Sequence, residues 1–313
     1  MSRSGGQGGR GGGPKRGKGG GSGSRRRPGP KQGRSGPPTR TGPPNRRGQP
    51  PVDEGRSQGG ISRRGLGGDQ VEGRQAVREL LIAGIRPVRE ILFAAGMDPA
   101  PVLEDIVELA AERRVTIHEV ARRDFDREAV SEGAQGVLAR AQSLPEHELD
   151  DLADTSSGPV PFLVVLDGVT DPGNLGALLR SAEGAGVTGV ILPRHRAVHI
   201  TPTVAKAAAG AIEFLPMALV GGLPAALTRL TELGVWVVGL DGDADLPLDR
   251  LTVADEPVAL VLGAEGSGLS RLVRQRCDAM ASIPMYGNLN SLNVSAAAAV
   301  ALFDVAGRRG RAR

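Results

Sequence analysis

Three short stretches of this 313-residue chain carry side chains able to hold a polar ligand, and each begins where an apolar run stops. The first reads Asp167-Gly-Val-Thr-Asp171-Pro172-Gly173-Asn174-Leu-Gly176, with Arg180 about a turn further on. Pro172 fixes φ and Gly173 accepts a positive φ, so the residues from Asp171 predict a turn. Asn174 is expected to cap the following helix, and Gly176 to leave room for a ligand against its first turn. The second stretch reads Gly263-Ala-Glu265-Gly266-Ser-Gly268. It has the glycine density of a phosphate-cradling loop but lacks the Gly-Lys-[Ser/Thr] ending, so nucleoside triphosphate hydrolysis is not supported. What remains is a strand end bearing one acid, Glu265. The third reads Ile283-Pro-Met285-Tyr-Gly287-Asn-Leu-Asn-Ser291-Leu292-Asn293 and runs into Ala296–Ala299. Ser291 takes the place of a helix N-cap, with Asn293 on the first turn, where free backbone N–H groups can hold a polar ligand.

The elements that must position these residues alternate. Apolar runs predict strands near 162–167, 188–193, 235–241, 257–263 and 279–285. Helices are expected near 174–184, 202–210, 223–233, 270–276 and 291–308. Such alternation argues for a parallel sheet covered on both faces, with ligands at the carboxyl ends of its strands. A dinucleotide spacing, Gly184-Gly186-Gly189, falls between a helix and the next strand, the wrong order for a pyrophosphate turn, and is set aside. Upstream, the pattern predicts a helix over Val71–Ala83, a strand over Val88–Ala94, a helix over Val102–Arg114, and strands over Val115–Val120 and Gly136–Ala141. The second of these helices would place Leu103, Ile106, Val107 and Ala110 on one face.

Together the three stretches resemble the SpoU (TrmH-type) family of RNA ribose 2'-O-methyltransferases, over residues 70–309. That resemblance implies an α/β chain with a small α/β substrate-binding domain followed by an α/β-knot methyltransferase domain, a parallel sheet closed by a trefoil knot. It divides the chain into a tail at 1–66, an RNA substrate-binding domain at 67–143, a linker at 144–160 and the methyltransferase domain at 161–313. It implies S-adenosylmethionine as cofactor, held by Gly263, Ile283 and Leu292, with Met285 added. The same family pattern makes Arg180 the catalytic base candidate, with Asn174, Glu265, Ser291 and Asn293 around the reacting centre. Arginine is a poor base because it holds its proton so strongly. Either Arg180 is deprotonated in a crowded cationic or desolvated setting, or it stays charged and stabilises the developing alkoxide while a phosphate takes the proton. One departure is Ala134-Gln135-Gly136, where many relatives have His-Gln-Gly.

Within the family, the chain looks most like enzymes that methylate a guanosine ribose in large-subunit ribosomal RNA. The rivals are a transfer-RNA ribose methyltransferase, a thiostrepton-resistance-type adenosine methyltransferase and a non-catalytic RNA-binding assembly factor. The last would be favoured by loss of Asn174, Arg180, Glu265 or Asn293, and all are present. The family builds its active site beside a subunit interface, so a homodimer is expected, packed through Ala296–Ala299.

Charge is distributed unevenly. Residues 1–66 hold 16 basic and 2 acidic residues, leaving 23 basic against 33 acidic in the remainder, so the overall +4 joins a +14 tail to a −10 body. Rich in Gly and Pro and without an aromatic, the tail is expected to stay disordered and to attract RNA phosphate with little sequence preference. It has no apolar segment and does not read as a signal peptide. Arg194-His195-Arg196 is a second basic candidate for phosphate contact. A single cysteine, Cys277, rules out an intrachain disulfide and fits a reducing cytoplasm. The four histidines show no metal-site spacing, and no run approaches the roughly 20 apolar residues of a membrane helix, so neither metal nor membrane is expected.

Overall fold

The apolar runs separate into two sheets. The computed structural model describes residues 65–311 apart from 132, 196–198 and 290, so the basic tail and Arg196 lie outside the described residues. The first sheet is built from β1 (Gln70–Glu72), α1 (Arg74–Ala83), β2 (Val88–Ala94), α2 (Pro101–Glu112), β3 (Thr116–Val120), α3 (Arg122–Glu128) and β4 (Val137–Ala141). Its strand order is β1-β4-β2-β3, antiparallel except for the β2–β3 pair.

Two expectations change here, and one helix is new. The helix expected from Val71 starts at Arg74, because Val71 and Glu72 pair with Ala139 and Leu138 and Gly73 turns the chain at φ 101°. A cross-strand ladder outweighs the helical periodicity of so short a stretch. Val107 is exposed, and α2 fully buries only Ile106 and Ala110. The unforeseen α3 is mostly charged and buries a single side chain, Phe125, which is why periodicity gave no sign of it.

Residues 144–160 contain α4 (Leu149–Leu152), whose Leu152 is buried, and His147 N donates to Met217 O at 2.9 Å. Beyond it come β5 (Phe162–Asp167), α5 (Pro172–Gly184), β6 (Gly189–Pro193), α6 (Pro202–Ala207), β7 (Met217–Val220), α7 (Leu223–Glu232) and β8 (Trp236–Leu240). The chain ends with β9 (Leu246–Pro247), β10 (Val258–Gly263), α8 (Arg271–Arg274), β11 (Ala279–Ser282) and α9 (Val294–Arg311). These strands form one parallel sheet, ordered β7-β6-β5-β10-β8-β11-β9. The short β7 and β9 were not foreseen from the apolar runs.

Both faces of this sheet are covered. Along β5, Phe162, Val164 and Leu166 join the core under α5, α6 and α9, while Leu163 and Val165 join the core under α4, α7 and α8. Alternate side chains of a strand point to opposite faces, so a continuous apolar run is what a doubly covered strand requires. Each fully buried Leu or Val contributes about 1.5–3 kcal/mol.

The first sheet is tied to the second part of the chain by polar contacts. Gly68 N donates to Ile200 O at 2.8 Å. Arg86 forms a bidentate pair with Glu213 at 2.7 and 2.8 Å and also donates to the Gly68 and Gln142 carbonyls.

Candidate active site

Sheet order brings the first two motifs side by side. β5 and β10 are neighbours, and their last residues, Asp167 and Gly263, are register partners. Asp167 then accepts a hydrogen bond from Ser270 N at 2.7 Å, fastening the chain beyond the glycine-rich loop to the end of β5. The third motif arrives from further off. β11 lies beyond β8, yet α9 packs against α5, so the chain between them returns past the carboxyl ends of β8 and β10, which share the lining of one cleft with residues 291–294.

Three side chains from the three motifs meet there. Asn174 Nδ2 donates to Glu265 Oε2 at 3.1 Å, and Asn293 Nδ2 donates to Asn174 Oδ1 at 2.9 Å. Asn293 Oδ1 in turn accepts from Ser295 N and Ser295 Oγ at 2.9 and 2.6 Å. A carboxylate accepts and a helix N–H donates, so both ends of the chain fix which way each amide points. These residues are 91 and 119 positions apart in sequence.

Two capping expectations are corrected. Asp171 caps α5, its Oδ1 accepting from Asn174 N at 2.6 Å, which leaves the Asn174 side chain for Glu265 and Asn293. Asn293 stands immediately before α9 and its Oδ1 takes the Ser295 N–H of the first turn, so Ser291 lies ahead of the helix. The space expected at Gly176 is also taken. Gly176 is buried, and a Cβ there would run into Ala207 and the backbone of Val204 on α6 and of Ala208 just past its end. Its missing side chain permits helix packing.

A cleft of about 790 Å³ opens beside the trio, lined by Gly263, Glu265, Ser291, Leu292 and Asn293 among others. A smaller recess of about 130 Å³ adjoins it, lined by Ile283, Met285, Leu292 and Ala297. Leu240, Asp241 and Gly242 at the end of β8 line both spaces. Sequence reasoning missed these three, although a strand ending in Leu-Asp-Gly-Asp beside other ligand-bearing strand ends was the available signal. The size suits a nucleoside-sized cofactor, with an apolar slot at one end and polar groups at the other. Gly263 is held bare: Ala264 and Gly268 exchange two backbone hydrogen bonds, at 3.1 and 2.9 Å, and fold the loop back so that any Cβ at Gly263 would strike Gly268. These residues fit such a cofactor.

Arg180 stands apart from the trio. It is exposed on the outer side of α5, whose inner side is Leu175, Leu178, Leu179 and Ala182, and has no hydrogen bond or ion pair among the described residues. α5 and α9 run in the same direction, from the Asn174–Asn293 bond to Gly184 beside Phe303. Arg180, six residues or about 9 Å along, is therefore level with Ala299, the residue before Val300. Val300 belongs to an exposed stripe of α9, Ala296-Val300-Phe303-Gly307. The run Ala296–Ala299 itself is mixed, since Ala298 is core and Ala297 lines the cleft.

Elsewhere, Arg194 donates to Glu146 Oε2 at 3.0 Å, so its charge is already engaged. Burial pushes the Cys277 thiol up to about 11, with Asp278 adding to the rise, which makes it a poor nucleophile. Among the described residues no group of three or more His, Cys, Asp or Glu could hold a metal, and no helix is long and apolar enough to cross a membrane.

Comparison with known proteins gives consistent matches. Residues 161–303 match the SpoU rRNA Methylase family model, and residues 70–147 match the model for RNA 2'-O ribose methyltransferase substrate binding. The chain is 41% identical over 247 residues to the 23S rRNA (guanosine-2'-O-)-methyltransferase RlmB of Pseudomonas syringae pv. tomato, covering 78% of this chain and 98% of that one. The RlmB of Shewanella oneidensis is 40% identical over 244 residues, covering 77% and 98%. Among solved structures, the SpoU methyltransferase AviRb of Streptomyces viridochromogenes in complex with AdoMet superposes with a TM-score of 0.63 at 26% identity, covering 77% of this chain and 90% of that one.

Proposed function

Because this chain belongs to the SpoU rRNA methylase family, we propose that it methylates the 2'-hydroxyl of a guanosine ribose in large-subunit ribosomal RNA, using S-adenosylmethionine. The observation that carries this reading is the hydrogen-bonded chain Glu265–Asn174–Asn293 at the mouth of the cleft. When bound, the cofactor supplies a sulfonium-activated methyl group. The chain's residues then have two tasks, to orient the hydroxyl and to manage its proton. Gly263, Ile283, Leu292 and Met285 would hold the cofactor, the first by allowing close backbone approach and the others as apolar walls. Asn174, Glu265 and Asn293 fix one another and leave donors and acceptors for the target nucleotide, with Ser291 beside them.

Arg180 serves as the electrostatic partner of the substrate. With no carboxylate to neutralise it, its guanidinium is available to an RNA phosphate and to the developing alkoxide. A homodimer belongs to the same reading. The stripe Ala296-Val300-Phe303-Gly307 would bury its apolar surface against a second copy, and its level with Arg180 puts the subunit contact beside the catalytic machinery. The return of the chain between β11 and α9 past two strand ends is the kind of path a trefoil knot needs, and we include the knot in the proposal.

Residues 67–143 are assigned to RNA binding, 144–160 to the link between domains and 161–313 to methyl transfer, in a cytoplasmic enzyme whose basic tail at 1–66 gathers RNA. The deciding experiment maps ribose methylation across ribosomal RNA from cells with and without the protein. Loss of one guanosine methylation supports the reading, and an unchanged ribosomal map overturns it.

A further inference from the structure

The two adjoining spaces at the strand ends differ in character. The smaller is walled by Ala281, Ile283, Met285 and Leu292, while the larger reaches Glu265, Asn293 and Arg274. Among the described residues six face both, and of these Asp241 and Ser291 carry polar side chains. A nucleoside with its base in the apolar recess and a charged tail in the polar cleft has its ribose across that shared rim.

Asp241 is held there on three sides. Its N–H donates to Ala281 O at 3.0 Å, its Oδ1 accepts from Asp243 N at 2.9 Å, and its Oδ2 accepts from Arg274 Nη1. Its side chain is only 14% exposed, against 46% for Arg274. Two oxygens offer about four acceptor positions and the chain uses two of them, so the carboxylate keeps acceptor capacity on the cleft. A carboxylate accepting from a ribose hydroxyl is the chemistry by which dinucleotide folds recognise the sugar.

We propose that Asp241 reads the ribose 2',3'-diol of the nucleoside cofactor, and that Arg274 acts through it as a positioning residue. The inference rests on the cofactor reading given above. Asp241 is not needed for the sheet, because its only strand-like bond is made by its backbone N–H. The alternative is an aspartate that merely closes the turn through Asp243 and pairs with Arg274.

The two are separated by titration calorimetry on the full chain, with S-adenosylhomocysteine and its 2'-deoxy and 3'-deoxy analogues as probes. The wild type should bind the parent about tenfold to a hundredfold more tightly than at least one deoxy analogue, the range for a hydrogen bond to a charged group. Asp241→Ala should weaken the parent by a similar factor and bind parent and analogues alike. Asp241→Ser, which keeps a side-chain acceptor for Asp243 N, guards against loss of the turn and should show the same flattened preference. Arg274→Ala should weaken all three ligands by less while keeping the preference for the diol. Retention of the full diol preference in both Asp241 variants overturns the proposal. A folded wild type that binds no parent compound at all overturns the cofactor reading itself, and the proposal with it.

Discussion

Arg86 lies at the meeting of the two sheets with its side chain 3% exposed, shared between Glu213 and two main-chain carbonyls. Arg180 lies on the outside of α5, exposed and without a hydrogen bond or ion pair among the described residues. The first arginine has all its charge and most of its donors satisfied inside the protein, so it can add rigidity and nothing else. The second contributes no internal bond, so its charge remains for a ligand. A buried ion pair costs desolvation and is recovered only by good geometry, whereas an exposed unpaired cation costs almost nothing to keep. Satisfaction, rather than residue type, separates the structural arginine from the one proposed to act on the substrate.

The largest expected effect falls on the buried member. Arg86→Ala strands Glu213, 1% exposed, and should lower unfolding stability by about 3–5 kcal/mol in urea titrations. Arg86→Met with Glu213→Leu removes both charges and should recover most of that loss. A loss under about 1 kcal/mol for the single change would mean that the pair is dispensable and the contrast with Arg180 empty.

Arg180→Ala should do the opposite. Its unfolding curve should stay within about 0.5 kcal/mol of wild type, while single-turnover methyl transfer drops by about a hundredfold to a thousandfold. Cofactor affinity, measured separately, should hardly move, since no lining of the cleft comes from that part of α5. Near-normal transfer would remove Arg180 from the mechanism.

Gly263→Ala tests the cleft between these extremes. The added methyl meets the backbone of Gly268, a displacement that costs about 1–3 kcal/mol. Because the loop that must yield also lines the cleft, cofactor affinity should fall together with stability, and calorimetry beside melting curves reads both.

The smallest effect belongs to the connecting segment. Asp154 is held down to about 2 by the hydroxyl of Ser156, with Ser157 and the Ser156 N–H adding to it. A depressed folded value means that this contribution is present above the ordinary carboxylate range and is lost as pH falls toward 2. Ser156→Ala should raise the Asp154 titration toward its ordinary value when followed by NMR, with methyl transfer at neutral pH unchanged.

Much of this protein was legible in its residues. Apolar runs mark β5, β6, β8 and β10 because strands covered on both faces cannot alternate with polar residues. Glycine, proline and amide side chains mark the junctions because few residues fit turns and helix starts. Elements stabilised by pairing rather than by pattern, such as β1 and β9, were beyond that reading, as was the charged α3.

The sequence by itself determined which side chains are available: Asn174, Glu265, Ser291 and Asn293 near strand ends and Arg180 on the helix after the first, with apolar and glycine positions proposed for a nucleoside. Only the tertiary structure decided how they are used. Strand order set β10 against β5 and sent α9 back across two strand ends, so residues 91 and 119 positions apart hydrogen-bond. It gave the α5 cap to Asp171, the α9 cap to Asn293, and the space at Gly176 to α6. It also paired Arg86 with Glu213 across 127 positions while leaving Arg180 outside. Local sequence fixes backbone propensity and side-chain chemistry, but which donor meets which acceptor depends on the order in which strands pack, and that order is a property of the whole buried core.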